Sequence, residues 1–146
     1  MKILVSACLL GENCKYNGGN NYSATVAEYV KDMEVIPVCP EMEAGFGCPR
    51  IPMEIVDGVL INRDGVNLDA PMAQAISRIL KSVEGQGIEC AVLKSRSPTC
   101  GVRQVYDGTF SGKLVSGMGL FAKALSEQGI RVLDSEEVFA KIYKEA

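Results

Sequence analysis

The chain contains no histidine and no tryptophan, and only 6% of its residues are aromatic. The absence of histidine excludes serine–histidine catalytic triads, histidine-containing zinc sites and imidazole general bases. Proton transfer would therefore use a carboxylate, lysine, tyrosine, cysteine or metal-bound water. No apolar run approaches the roughly 20 residues that a membrane-spanning helix requires. The short apolar start meets polar residues at once, unlike a secretory signal, so we expect a cytoplasmic protein with no membrane partner.

A block of lysines or arginines is also missing. The 15 basic and 18 acidic residues give a formal net charge of −3, which does not favour electrostatic binding of nucleic acid. We therefore expect no nucleic-acid partner. The length of 146 residues and the hydrophobic fraction of 47% predict a single α/β domain, 1–146, whose core can form without a metal or a disulfide.

Four short apolar runs predict buried β-strands. They are rich in valine, isoleucine and leucine and do not alternate with polar residues, which is typical of parallel strands covered on both faces. Helical patterns lie between and after these runs. This alternation predicts a doubly wound α/β domain, a Rossmann-like three-layer fold with a mainly four-stranded parallel sheet and small β-hairpin insertions. The predicted strands are Ile3–Ala7, Val35–Val38, Cys90–Leu93 and Arg131–Leu133.

Capping residues and apolar stripes indicate four helices. The first follows the capping residue Ser23, the second has Pro71 in its first turn, and the third includes Met118. The last begins at Asp134, where Glu137 three residues on completes a capping box. The residues that we expect this last helix to bury are Val138 and Ile142.

Two Asp-Gly pairs predict tight turns outside the parallel sheet. The pair at Asp57-Gly58 lies between the apolar segments Glu54–Val56 and Val59–Asn62, which is a strong hairpin pattern. The second pair, Asp107-Gly108, predicts another turn or hairpin after the third strand.

Three of the six cysteines fall where the predicted strands end. Cys8 directly follows the first strand, Cys39 ends the second, and Cys100 lies in the loop after the third. Ligands of an open parallel sheet gather in the crevice beyond the carboxyl ends of its strands. The sequence therefore predicts that these three sulfurs meet at one edge of the fold, and in a reducing cytosol such cysteines favour metal binding or catalysis over disulfides.

Three thiolates can bind a zinc ion or three irons of a [4Fe–4S] cluster, because both take soft sulfur ligands. Structural zinc usually takes four ligands, often in closely spaced cysteine pairs, and such pairs are missing here. A cluster held by three cysteines would leave one iron open to bind a substrate sulfur or oxygen as a Lewis acid.

The other cysteines and several cations are weaker candidates for the site. Cys90 lies within a predicted strand and is expected in the core, as free cysteines often are. Cys14 and Cys48 could each be a fourth ligand, a redox partner or neither. The weaker candidates for holding a polar or anionic substrate are Lys15, Arg50 and Arg96.

The motifs around these cysteines resemble the domain-of-unknown-function family five hundred and twenty-three, which includes bacterial thiouracil desulfidases. The likeness covers nearly the whole chain, in order. Thr99 departs from the serine that is commoner there, and Lys15 and Asn17 stand where many members carry arginine and aspartate. The matching segments are Cys8–Gly11, Pro37–Glu41, Gly45, Pro49-Arg50, Leu93–Gly101, Tyr106–Gly112 and Gly117–Gly119.

The resemblance implies a [4Fe–4S] cluster on Cys8, Cys39 and Cys100. It implies that the open iron takes the sulfur of a thiolated small molecule, such as a thiouracil-like base, without net redox chemistry. It also implies catalytic roles for Glu41 and Ser97 near the reacting atoms. In a chain without histidine, a carboxylate is the natural general base for a water molecule that attacks the thiocarbonyl carbon.

Two other functions remain open at this point. One is a non-catalytic metal-binding protein or a sulfur carrier that feeds a partner enzyme. The other is a structural zinc protein or a redox protein that uses its cysteines alone.

Overall fold

The structure is a computed structural model, and it describes residues 1–138. Strands and helices alternate over most of this range, with a short 3-10 turn, Ala7–Leu10, after the first strand. In chain order the strands and α-helices are β1 (Lys2–Ser6), α1 (Ala24–Val30), β2 (Glu34–Val38), α2 (Pro40–Glu43), β3 (Met53–Val56), β4 (Val59–Asn62), α3 (Asp69–Val83), β5 (Ile88–Leu93), β6 (Gln104–Tyr106), β7 (Leu114–Ser116), α4 (Leu120–Glu127) and β8 (Arg131–Asp134).

Strands β1, β2, β5 and β8 form one parallel sheet in the order β2-β1-β5-β8. The predicted strands and the Rossmann-like fold class are confirmed. The chain moves from β1 to its neighbour β2 and then returns across β1 to β5, so the winding direction reverses between β1 and β5. In open α/β sheets this switch point, at the carboxyl ends of the strands, is where a crevice forms.

Helices cover both faces of the sheet, because alternate strand residues are apolar on each side. On one face, Leu4 and Leu93 pack with α3 and α4. On the other face, Ile3 and Val92 pack with α1 and with Val138 of a helical segment at residues 135–138. The sheet is therefore the middle of three layers, and its carboxyl edge is the part left for a site.

Side-chain caps fix where two of the helices begin. Ser23 Oγ accepts a hydrogen bond from the Val26 N–H at 3.1 Å, and the Asp134 N–H donates to Glu137 Oε1 at 3.0 Å. The predicted capping box is thus present. Val138 is fully buried as expected, whereas Ile142 lies outside the described residues.

The third helix begins later than predicted. Gly119 is extended, with φ −66° and ψ 164°, and forms the N-cap of α4. Met118 therefore precedes the helix, although its side chain still packs against the core on the α3 and α4 side.

Both predicted hairpins form beside the main sheet. Strands β3 and β4 pair around Asp57 and Gly58, whose φ angles of 49° and 80° give the left-handed turn that suits a two-residue hairpin loop. Strands β6 and β7 pair across the loop that contains Asp107-Gly108. Buried Glu54 joins the hairpins, because its Oε1 accepts from the N–H groups of Gly108 at 2.9 Å and Phe110 at 3.2 Å. In the part of the chain that the structure describes, no helix is long and apolar enough to cross a membrane.

Candidate functional site

A cavity of about 510 Å³ opens at the carboxyl ends of β1, β2 and β5. Its walls carry Cys8, Cys39 and Cys100, the three cysteines that the strand ends singled out. Glu41 and Ser97 line the same cavity. The structure thus gathers all five predicted site residues around one space, although they come from three separate loops.

Cys8 lies in the 3-10 turn that follows β1. The left-handed Gly11, with φ 97°, ends this turn and returns its N–H to the Cys8 carbonyl at 3.3 Å. Asn21 Nδ2 donates to Cys8 Sγ at 3.4 Å. Burial raises the pKa of the Cys8 thiol, and the Asn21 contact opposes that rise.

Cys39 forms the N-cap of α2, directly after β2, and Pro40 suits the first position of that helix. Its Sγ lies 3.8 Å from Glu41 Oε2 and 3.9 Å from the Cys14 carbonyl oxygen. Burial and the neighbouring Glu41 carboxylate both raise the pKa of the Cys39 thiol.

Cys100 sits at the base of the cavity in a tight turn after β5, and only 4% of its surface is exposed. The Cys100 N–H donates to Ser97 Oγ at 3.0 Å, and the Gly101 N–H donates to the Ser97 carbonyl at 2.8 Å. Burial raises the pKa of the Cys100 thiol to about 12. Like the other two thiols it is therefore neutral at pH 7, and a soft metal that binds here would displace its proton.

The three cysteines surround the cavity rather than meet at one point. Among residues 1–138, no three cysteine, aspartate or glutamate side chains lie close enough together to ligate a single metal ion. A [4Fe–4S] cluster binds each thiolate at a different iron. Three soft sulfur donors that line one cavity, Cys8, Cys39 and Cys100, are a donor set that suits three irons of such a cluster.

Glu41 is buried, with 8% of its surface exposed, and two neighbours hold its carboxylate. Thr99 Oγ1 donates to Glu41 Oε1 at 2.8 Å. The Arg50 guanidinium approaches Glu41 Oε2 at 3.9 Å. A buried carboxylate needs such partners, because the loss of its hydration would otherwise be very costly.

Arg50 lines the cavity, but its guanidinium is largely engaged by backbone carbonyl groups. Its Nη2 donates to the Cys14 carbonyl at 2.9 Å, and its Nη1 donates to the Gly47 carbonyl at 2.8 Å. Only 9% of its side chain is exposed. Arg50 therefore ties the loop that contains Cys14 to the loop that follows β2, and it is a poorer substrate-binding candidate than the sequence suggested.

Three other cations line the cavity with different surroundings, and they are Lys15, Lys94 and Arg96. Arg96 pairs with Glu136 at 2.8 Å, and Lys15 lies over the ring of Tyr16. Lys94 donates to the Ser95 hydroxyl and carbonyl oxygens at 3.0 and 3.1 Å. Burial lowers the pKa of Lys94. Of these three cations, Lys94 was overlooked as a site candidate because nothing in the sequence distinguishes it from a solvated lysine.

The remaining cysteines occupy three different environments. Cys14 is buried on the cavity wall, and its carbonyl oxygen lies 3.9 Å from Cys39 Sγ. Cys48 Sγ donates to the Asn13 carbonyl at 3.1 Å. Cys90 packs in the core on the α1 face of the sheet, as expected.

The fold and this site define a class: a Rossmann-like α/β protein with a cysteine-lined cavity at the switch point of its sheet. Residues 3–137 match the model of the 2-thiouracil desulfurase family, and the chain belongs to that family.

Two relatives cover nearly the whole chain. An uncharacterized protein of Bacillus subtilis (strain 168), YbbK, is 32% identical over an alignment that covers 93% of this chain and 97% of YbbK. A solved structure of the [4Fe-4S]-dependent thiouracil desulfidase TudS superposes with a TM-score of 0.87 at 30% identity and covers 99% of each chain. The likeness to TudS confirms the α/β fold class.

The start of α4 packs directly on the turn that carries Cys100. The Gly119 N–H donates to the Gly101 carbonyl at 2.7 Å, and the Phe121 N–H donates to the Thr99 carbonyl at 2.8 Å. A Cβ atom at Gly119 would lie 2.5 Å from the Thr99 carbonyl carbon, a distance that real Cβ atoms do not reach. A glycine is therefore required where the helix meets this turn.

We predict that Gly119→Ala lowers the free energy of unfolding by about 1–3 kcal/mol or more, because the new methyl group overpacks against rigid backbone. Urea denaturation of the metal-free protein measures this change. Gly117→Ala is the matched control, since its Cβ would meet only the Val105 side chain at an ordinary 3.5 Å. Equal stabilities for the two variants would contradict the proposed close contact.

Proposed function

We propose that this protein is a [4Fe–4S]-dependent desulfidase, which replaces the sulfur of a thiouracil-like base with oxygen from water and releases the sulfur as sulfide. One observation carries the proposal: in a chain of the 2-thiouracil desulfurase family, three cysteines, a buried carboxylate and a hydroxyl line one cavity. The solved relative TudS is itself a [4Fe-4S]-dependent thiouracil desulfidase.

Cys8, Cys39 and Cys100 are the residues that would hold the cluster. Their sulfurs are soft donors, they lie in segments that follow β1, β2 and β5, and they line one cavity of about 510 Å³. When bound, a cluster with three thiolate ligands supplies an iron without a protein ligand, and this iron acts as a Lewis acid that polarises the C=S bond of the substrate.

Glu41 would act as the general base. Thr99 engages Oε1 of its carboxylate, whereas Oε2 lies 3.8 Å from Cys39 Sγ and faces the cluster ligands. In our proposal, Oε2 takes a proton from the water molecule that attacks the thiocarbonyl carbon. Water and the thiocarbonyl give the carbonyl and hydrogen sulfide, so atoms balance and no electrons are gained or lost.

The rest of the cavity suits a flat, partly polar heterocycle. Tyr16, Tyr106 and Phe110 contribute aromatic surface, and Ser97 contributes a hydroxyl that could orient the base or the water. Phe110 adopts a left-handed backbone, with φ 55°, and Glu54 anchors its N–H at 3.2 Å. Strained residues that are held in this way cluster at ligand sites.

The direct test is anaerobic reconstitution of the protein with iron and sulfide, followed by incubation with 2-thiouracil. We expect a brown protein that forms uracil and sulfide in equal amounts. A loaded cluster without turnover would overturn the proposal in favour of a sulfur carrier. Zinc as the bound metal would favour a structural or redox role.

We predict that Cys8→Ala, Cys39→Ala and Cys100→Ala each abolish stable cluster binding, because each removes one of only three thiolate ligands. The measurement is anaerobic quantitation of iron and acid-labile sulfide per chain. Cys90→Ala is the matched control, since Cys90 packs in the core away from the cavity. Full iron retention by any of the first three variants would exclude that cysteine as a ligand.

We also predict that Glu41→Gln lowers kcat by about 10²-fold or more, the usual range for loss of a general base. Its iron content should match the wild type, because glutamine can still accept the Thr99 hydrogen bond. Glu43→Gln is the control on the same short helix, where the carboxylate is solvent-exposed and pairs with Arg78 at 3.1 Å. Wild-type turnover by Glu41→Gln would remove Glu41 from the proposed mechanism.

A further inference from the structure

Thr99 connects two of the proposed site residues, Ser97 and Glu41, through hydrogen bonds. Ser97 Oγ lies 3.1 Å from Thr99 Oγ1, and Thr99 Oγ1 lies 2.8 Å from Glu41 Oε1. Thr99 has no exposed surface, whereas Ser97 and Glu41 line the cavity. The three side chains form a hydrogen-bonded chain whose middle member is shielded from solvent.

Only one direction of hydrogen-bond donation is consistent along Ser97, Thr99 and Glu41. Ser97 Oγ accepts from the N–H groups of Thr99 at 3.2 Å and Cys100 at 3.0 Å. A hydroxyl oxygen has two acceptor sites, so both are filled and Ser97 can only donate further. Its proton therefore points to Thr99 Oγ1.

The negative charge of a carboxylate fixes the direction of the second hydrogen bond, between Thr99 and Glu41. An ionised carboxylate can only accept, so Thr99 donates its proton to Glu41 Oε1. The same hydroxyl lies 3.8 Å from Cys100 Sγ, but this contact is longer, and a bond to a carboxylate is stronger. The order of donation is therefore Ser97 to Thr99 to Glu41.

From this geometry we propose that Thr99 is a positioning residue for desulfuration. It holds the Ser97 hydroxyl in one rotamer and fixes the Glu41 carboxylate through Oε1, which sets the orientation of Oε2 beside Cys39 Sγ at 3.8 Å and Arg50 Nη2 at 3.9 Å. The inference rests on the proposed function, since it assigns Thr99 to the reaction of that site. It also gives a physical role to the position where this chain has threonine in place of the serine commoner in the family.

The test compares Thr99→Val with Thr99→Ser. Valine keeps the shape of threonine but lacks the hydroxyl, whereas serine keeps the hydroxyl and loses one methyl group. We expect Thr99→Val to lower kcat by about tenfold to hundredfold, the scale of a misplaced catalytic group, with a KM close to that of the wild type. Thr99→Ser should restore most of the turnover, and both variants should bind as much iron as the wild type.

A second readout uses the metal-free protein and does not depend on turnover. The Thr99 hydroxyl proton should be protected from exchange with water in proton NMR spectra and absent in Thr99→Val. Because Ser97 donates to the Thr99 oxygen, Ser97→Ala should shift this resonance. A Thr99 hydroxyl proton that exchanges freely with water, or whose resonance does not shift in Ser97→Ala, would overturn the proposed hydrogen bonds.

The outcomes separate this inference from the proposed function. If the wild type is active and Thr99→Val turns over at the wild-type rate, the inference fails and the proposed function stands. If Thr99→Ser is as slow as Thr99→Val, the lost methyl packing explains the effect and the positioning role is wrong. If the wild type releases no sulfide from 2-thiouracil, the proposed function fails, and the NMR readout still decides whether the chain of hydroxyls exists.

Discussion

The buried hydrogen bond between Thr99 and Glu41 is the interaction on which the arrangement of the site depends. It joins the loop after β2 to the loop after β5, although the two residues are 58 positions apart in the sequence. Arg50 extends the link to the loop that contains Cys14. A carboxylate in this position must keep its partners, since an unpaired buried charge is among the most destabilising features in a protein. The Thr99–Glu41 bond therefore ties the loop that carries Cys39 to the turn that carries Cys100.

Much of the fold could be predicted from local sequence patterns, for physical reasons that particular elements illustrate. Continuous apolar runs such as the one in β5 are buried on both faces, so they identify parallel strands without any knowledge of their neighbours. The β3–β4 hairpin was predictable because Asp57 and Gly58 tolerate the left-handed backbone that its turn needs. The shared location of the three cysteines also followed from local information, since each one lies just beyond a strand and parallel strands end at the same edge.

The contacts within the site could not be predicted in this way, because they depend on tertiary packing. Nothing near Arg50 in the sequence indicates that its guanidinium donates to the carbonyl groups of Gly47 and Cys14. The later start of α4 has the same origin, because the close approach of Gly119 to the Thr99 backbone sets the helix boundary. The family resemblance supplied Glu41 and Ser97, but only the coordinates reveal Thr99 between them.

The order in which the chain adds strands to the sheet determines when the cavity is complete. The cavity is complete only when β5 has been laid beside β1, which requires the whole of α3 to cross the sheet first. Cys8 and Cys39 therefore share a cavity with Cys100 only when β5 is paired with β1. Two of these cysteines also belong to the packed layers, because Cys100 lies in the core cluster on the α3 and α4 side and Cys8 packs against the cluster on the α1 side. A change at either position would therefore alter the packing of the core as well as the lining of the cavity.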